Sequence, residues 1–271
     1  MGAVVVEPGS GTMVLDPEQV LDRASMHLAN ILLGNPDSAA GLEVMLGGLK
    51  LRFVTGSALA VTGAEGMVTL NGRELPLNKA VRVPPGAILE LGRALFGLRY
   101  YLGVQGGISA QGETAHGESL RAGAALTFGR PQGHAFPEVN HPARRALDPE
   151  RPVVVRVSRG PQAQNYDAGT WLRLTSEPWI LSPESDRAGA RLAGRPLDAA
   201  VASGDAAGEA RQPQTLVSGS VLLPPSGLPV IALAGHPDTA ESPVIAVVRN
   251  EDLDLIGQAR PGQMVHLLAV T

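Results

Sequence analysis

No cysteine occurs among the 271 residues, so disulfides, thiolate nucleophiles and zinc-finger sites are excluded, while the redox compartment is left open. Aromatic residues make up only 3%, so a buried core must be assembled from Val, Leu, Ile and Ala. Lysine is reduced to Lys50 and Lys79, and the net charge of −4 provides no basic surface for counterion release. Nucleic acid and anionic membrane are therefore not expected partners. No apolar run approaches the length of a membrane span. The apolar start at residues 3–6 ends at Glu7-Pro8 without a basic leader, which points away from a signal peptide and towards the cytoplasm.

What the chain has in quantity is hydrophobic side chains, at 44%, and turn formers, with 33 Gly and 22 Pro. Together with 18% charged residues, that composition belongs to a folded, β-rich protein with a real core. The expected class is mainly β, with two β-rich subdomains and a few short helices. A short strand is expected at residues 4–6, followed by a flexible Gly9-Ser10-Gly11 turn. A helix over 17–33 comes next, with Asp16 as N-cap, Pro17 at the first helical position and Gly34-Asn35-Pro36 as its stop. From 42 to 104, short apolar runs at 51–54, 58–62, 68–70, 81–83, 88–91 and 98–104 alternate with turn residues, and Asn71-Gly72 marks a two-residue hairpin.

Residues 1–130 thus read as an N-terminal β-rich subdomain. The Pro-, His- and Arg-rich passage 131–152 reads as a linker, and 153–271 as a second, β-rich subdomain. In that second part strands are expected at 153–157, 217–223, 230–234, 244–248 and 264–270. Short helices are expected at 168–176 and after Asn250, and a loop poor in bulky apolar groups at 198–214.

The densest polar segment is Ser185-Asp186-Arg187-Ala188-Gly189-Ala190-Arg191, set between apolar runs: a hydroxyl, a carboxylate and two guanidinium groups in one turn can receive an anion. The same residue types also suit a purely structural turn. Phosphate-loop, nucleophile-elbow and His-Glu-x-x-His patterns are all missing, and neither lysine has the Met-Lys-Met setting of a biotin attachment point. His134 and His141 could share a loop but lack companion ligands, so no metal is expected. His236-Pro237-Asp238-Thr239 reads as a polar turn after a strand.

Several ordered segments resemble one family. Leu28-Ala29-Asn30-Ile31-Leu32-Leu33-Gly34-Asn35, Gly97-Leu98-Arg99-Tyr100-Tyr101-Leu102-Gly103-Val104-Gln105-Gly106-Gly107-Ile108, Tyr166-Asp167, Ser185-Asp186-Arg187-Ala188-Gly189-Ala190-Arg191-Leu192 and Gly219-Ser220-Val221-Leu222-Leu223-Pro224 are similar to motifs of the biotin-dependent carboxyltransferase-like family. That family includes allophanate hydrolase subunit 2, the C-type subunit of bacterial 5-oxoprolinase and antikinase-type regulators.

The resemblance implies a cyclophilin-like β-barrel architecture and a heteromer with a B-type subunit, joined by an A-type subunit in relatives with full activity. It implies ATP-dependent hydrolysis of, or carboxyl transfer to, a small amide- or urea-like substrate, with no covalent cofactor on this chain and ATP entering through the complex. Both reactions develop negative charge on oxygen. Arg187, Asp186 and Asp167 are accordingly the candidate catalytic groups, with Asp186 orienting Arg187, and Ser185, Arg191 and Thr239 the candidate substrate contacts. Other family segments are rewritten. Gly11-Thr12-Met13-Val14-Leu15 stands where a Thr-Val-Gln-Asp-x-Gly-Arg segment belongs, Ser109-Ala110-Gln111-Gly112 replaces Gly-Ser-Arg-Ser-Thr, and the Gln-Thr-Thr-Gly-Gly-Tyr-Pro loop keeps only Thr239 and Pro243. Those losses give a second expectation, a regulatory or partner-binding subunit without catalysis, and a third, a stand-alone binder of a small carboxylate.

Overall fold

A computed structural model of the chain describes residues 2–110, 117–131, 146–198 and 214–270. Two compact units make it up, Met1–Asp148 and Pro149–Thr271. His134, His141, most of the expected linker and nearly all of the expected 198–214 loop lie outside the described residues.

The first unit is organised by four long strands, β1 (Ala3–Leu15), β2 (Gly41–Phe53), β3 (Ser57–Leu70) and β6 (Ile88–Val104). Short strands β4 (Arg73–Glu74), β5 (Val81–Val83), β7 (Ile108–Ala110) and β8 (Ala125–Phe128) complete an eight-stranded sheet ordered β4-β3-β6-β2-β1-β8-β7, with β5 also on β3. Alternate positions such as Val5, Leu42, Val44, Leu51, Leu89 and Leu102 bury their side chains in one core. The hairpin at Asn71-Gly72 forms as expected, both residues having positive φ (51° and 74°) as a type I′ turn demands.

Pro84-Pro85-Gly86 and Gly106-Gly107 also lie between strands, but several other glycines do not end them. The runs expected at 51–54, 58–62, 68–70, 88–91 and 98–104 are pieces of β2, β3 and β6, and the turn expected at residues 9–11 lies inside β1. A Cβ on Gly9 would stand 2.5 Å from the Gly47 carbonyl, one on Gly47 would strike the Gly92 carbonyl, and one on Gly92 would stand 2.7 Å from the Met67 carbonyl. Register shifts interrupt the β1–β2, β2–β6 and β6–β3 ladders in the same region. The four strands therefore bulge side by side, which curls the sheet into a half-barrel rather than breaking it.

Helix α1 spans Arg23–Leu33, so it starts six residues later than the sequence pattern suggests. Its cap is Asp22, whose Oδ1 accepts the Ser25 N–H at 3.0 Å. Asp16 instead closes a turn by accepting the Gln19 N–H through its carbonyl. The stop at Gly34 is as expected: its φ is 64° and its N–H reaches the Asn30 and Ile31 carbonyls. Ala29, Leu32 and Leu33 pack on Ala58 and Ala60 of β3, whereas Ala24 is exposed.

The second unit is a closed barrel. Its strands are β9 (Val153–Arg159), β10 (Trp179–Leu181), β11 (Gly189–Ala193), β13 (Ser220–Leu222), β14 (Val230–Ala232), β16 (Val244–Val248) and β17 (Met264–Ala269), in the order β10-β11-β14-β13-β16-β9-β17, with β17 returning to β10. The two short strands β12 (Gln214–Thr215) and β15 (Thr239–Ala240) pair separately. Val155, Val157, Leu192, Val221, Ile231 and Val265 are all within a few per cent of full burial. The β9–β17 pair is parallel and the other barrel pairs are antiparallel.

Helix α2 (Ala168–Ser176) has the expected bounds and packs against β17. Trp179, fully buried, donates its indole N–H to the Leu174 carbonyl at 3.0 Å, which locks the end of α2 to β10. A 3-10 turn at Asn250–Asp252 leads into α3 (Leu253–Gln258), as expected after Asn250. The mainly β, barrel-based class expected from the sequence is the one observed.

Candidate functional site

The turn between β10 and β11 is shaped by its own polar side chains. Ser182 N–H bonds to the Arg191 carbonyl at 2.8 Å, extending the hairpin, and Ser185 Oγ accepts the Arg191 N–H at 3.0 Å. Asp186 turns its carboxylate onto the backbone ahead of it: Oδ1 accepts from Ala188 N at 2.8 Å and Gly189 N at 2.9 Å. This is the chemistry of an Asx turn, in which a short carboxylate satisfies donors two and three residues on. The cations of the turn are Arg187, half-buried, and Arg191, exposed.

A second loop is laced to this turn. The Arg187 carbonyl accepts the Gly235 N–H at 2.8 Å, and the Ala188 carbonyl accepts that of Leu233 at 3.0 Å. Gly235 is in contact with Arg187, since a Cβ there would lie 3.0 Å from its carbonyl oxygen and 3.3 Å from its Cβ. Beyond Gly235 the chain passes His236, whose Nδ1–H donates to the Pro237 carbonyl at 2.7 Å, and reaches Thr239, which pairs with Thr215 on β15 and β12. The fold thus joins Ser185, Asp186, Arg187 and Arg191 in one turn and ties to it the loop that carries Thr239.

Asp167 lies on a different element. It is the N-cap of α2, and its Oδ1 accepts the Thr170 N–H at 2.6 Å. The preceding Tyr166 is 8% exposed, its hydroxyl has no hydrogen-bond partner, and burial raises the pKa of that phenol. On the same helix Trp171 receives the Arg159 guanidinium over its ring at 4.5 Å.

Three features of the first unit escaped the sequence reading. One is a buried polar network: Glu43 Oε2 accepts from Leu21 N at 3.0 Å and from the Tyr101 hydroxyl at 2.9 Å, and Tyr101 in turn accepts the Asp22 N–H at 2.9 Å. Arg99 Nε stands 3.3 Å from Glu43 Oε1. A carboxylate inside the apolar stretch Leu42-Glu43-Val44 was the available signal for it. The second is an open groove of about 1090 Å³ lined by Asp16, Glu18, Arg23, His27, Asp37 and Ser38, across which His27 Nδ1 lies 3.3 Å from Asp37 Oδ1. The third is a smaller cavity of about 550 Å³ whose walls include Ser57, Arg82, Gln105 and Phe128. None of the six residues selected from the sequence lines either cavity. Among the described residues no group of three or more His, Asp or Glu is placed to hold a metal ion, and no helix is long and apolar enough to cross a membrane.

Against known proteins, the family model described as carboxyltransferase domain, subdomain A and B, matches residues 20–269. The C subunit of 5-oxoprolinase from Haemophilus influenzae is 32% identical over 266 residues, a match that covers 93% of this chain and 82% of that protein. The Escherichia coli protein of the same name is 27% identical over 265 residues, covering 92% and 81%. Among solved structures, the urea amidolyase of Kluyveromyces lactis shares the fold with a TM-score of 0.82 at 22% identity, over 100% of this chain and 19% of that much longer one.

Proposed function

The chain belongs to the carboxyltransferase domain family, subdomains A and B, and on that premise we propose that it acts as the C-type subunit of a heteromeric 5-oxoprolinase-type complex. The observation that carries this reading is the extent of the match. The chain corresponds to most of a free-standing C subunit of 5-oxoprolinase, but to only a small part of urea amidolyase. Its partners are then a B-type subunit and an A-type subunit of the same system. The reaction is the ATP-dependent opening of a small cyclic amide: water adds across the C–N bond, the ring nitrogen leaves as an amine, and ATP is consumed in the complex. The dependence on ATP accords with a cytoplasmic setting.

In this reading the Arg187 guanidinium stabilises the negative charge that develops on the amide oxygen. Asp186 serves it indirectly, by fixing the turn from which Arg187 projects, and Ser185 fixes the same turn from the β11 side. Arg191 and Thr239 contact the substrate from the two laced loops, and Asp167, at the start of α2, is the further acidic group.

Co-expression with the B-type and A-type subunits, followed by an assay of glutamate release from 5-oxoproline with ATP, tests the proposal. Turnover is expected, and Arg187→Ala is expected to abolish it with the melting temperature nearly unchanged. No turnover in a fully assembled complex overturns it. The commitment of Asp186 and Ser185 to backbone donors favours a second reading, a regulatory subunit that keeps the partner surface without chemistry. A stable heteromer whose turnover is indifferent to Arg187→Ala is the outcome specific to that reading.

A further inference from the structure

Opening an amide with water requires a group that takes a proton from the attacking water, besides one that stabilises the oxyanion. The carboxylates singled out in the sequence are committed to backbone. Asp186 holds the Ala188 and Gly189 N–H groups, and Asp167 caps α2 through the Thr170 N–H. Beside the Arg187 turn, among the described residues, one proton acceptor is both held in place and open, and it is His236.

The loop that carries it is fastened at both ends. The Leu233 N–H reaches the Ala188 carbonyl at 3.0 Å, the Gly235 N–H reaches the Arg187 carbonyl at 2.8 Å, and the His236 N–H closes the turn on the Leu233 carbonyl at 3.0 Å. A Cβ on Gly235 would lie 3.3 Å from that of Arg187, so the two backbones meet with little room between them. His236 is thus mounted one residue from that contact, on backbone that is tied to Arg187.

The ring is fixed as well. Its Nδ1 lies 2.7 Å from the Pro237 carbonyl oxygen. A carbonyl oxygen only accepts, so Nδ1 carries the hydrogen and the Nε2 of the neutral ring keeps a free lone pair. Nε2 has no hydrogen-bond partner among the described residues. His236 is half-buried, whereas the nearby Asp238 is exposed and no described residue holds its carboxylate in one orientation.

We propose that His236 is the general base of the hydrolysis and the acid that returns the proton. The inference rests on the reading of the chain as a subunit of an amide-opening complex. As the water oxygen bonds to the amide carbon, Nε2 takes one water proton and the carbonyl electron pair moves onto oxygen, where Arg187 stabilises it. The C=O bond then re-forms, the C–N bond breaks with its electron pair on nitrogen, and the imidazolium passes its proton to that nitrogen. The second water proton departs when the new carboxyl group ionises. Through both transfers the Pro237 carbonyl keeps the tautomer and stabilises the imidazolium by its bond to Nδ1–H.

The test assays the complex assembled with the B-type and A-type subunits for ATP-dependent glutamate release from 5-oxoproline. His236→Gln and His236→Ala are each expected to lower kcat by about 100-fold or more, with KM within about twofold of the parent. Added imidazole should restore part of the rate to His236→Ala, which a structural role would not allow. Asp238→Asn should turn over within about twofold of the parent. Melting temperatures establish that the variants remain folded, and ring nitrogen shifts of the isolated chain should show the neutral His236 protonated on Nδ1. With an active parent complex, parental kcat in the His236 variants, a His236→Ala rate insensitive to imidazole, an Asp238→Asn as impaired as His236→Gln, or the opposite tautomer overturns the proposal. A parent complex without turnover overturns the reading of the reaction together with it, so the two failures are told apart.

Discussion

Tyr101 donates its phenolic hydrogen to Glu43 Oε2 at 2.9 Å in a fully buried position, and the phenolic oxygen itself accepts the backbone N–H of Asp22. One hydroxyl therefore joins β6, β2 and the start of α1. Tyr101→Phe removes the donor to a buried carboxylate and strands a buried N–H. The expected loss is about 1–3 kcal/mol in the stability of the first unit, read from urea unfolding. A change no larger than that of an exposed Phe substitution would show that the network is dispensable.

The same phenol gives alkaline unfolding a defined sign. Burial first, and then the neighbouring Glu43 and Asp22 carboxylates, raise its pKa well above the ordinary 10.0. Below about pH 10 both folded and unfolded chains keep the proton, so the contribution is fully present; above it the unfolded chain ionises first and stability falls. Urea midpoints measured from pH 8 to pH 11 should decline, and decline less steeply in Tyr101→Phe.

Arg156 holds Asp252 in a fork, with Nε to Oδ2 at 2.8 Å and a terminal nitrogen to Oδ1 at 2.7 Å, and its backbone N–H also reaches Oδ2 at 2.8 Å. Asp252 is nearly buried, so the clip that fastens the 3-10 turn to β9 rests on a desolvated carboxylate. Asp252→Asn should lower barrel stability by about 1–3 kcal/mol, and Arg156→Lys should fail to match the parent because a single ammonium cannot reproduce the fork. Calorimetric melting of the two variants decides the point.

Gly235 sets the fit between the two laced loops. Adding a Cβ at 235 presses on the Arg187 carbonyl and side chain, so Gly235→Ala should displace the amide resonances of residues 185–189. His236→Ala, one residue away and outside that contact, should leave them in place. Unmoved resonances in Gly235→Ala would mean that the loops accommodate the methyl without adjusting the turn.

These features differ in how far the sequence announces them. Helix α2 and the Asn71-Gly72 hairpin are local events, set by a cap three residues from its donor and by two residues that tolerate positive φ, and both are found where the pattern puts them. The start of α1 is not local. Asp16-Pro17 has the form of a helix start, but Glu43 and Tyr101, distant in sequence, seize the Leu21 and Asp22 N–H groups and delay the helix to Arg23. The turn read at Gly9-Ser10-Gly11 and the breaks read inside β3 and β6 fail for a related reason. A glycine marks a backbone departure, and only the neighbouring strands decide whether it is a turn or, as at Gly9, Gly47 and Gly92, a shared bulge. At the candidate turn, the residue types of Ser185-Asp186-Arg187 are legible, whereas the direction of the Asp186 carboxylate is a matter of geometry. The cavity at Gln105 is assembled from four separate segments and has no linear signature.

The parallel pairing of β9 with β17 joins the first and last strands of the barrel along Val153–Val265 to Val157–Ala269. On the ribosome β17 emerges only after the other six strands, and until then both β9 and β10 present an unpaired edge. The barrel can then acquire its final cooperativity only in one late step, at the loop-closure cost of a contact spanning more than a hundred residues. Interference with β17 should therefore strike the unit as a whole, leaving an open, aggregation-prone sheet rather than a barrel short of one strand.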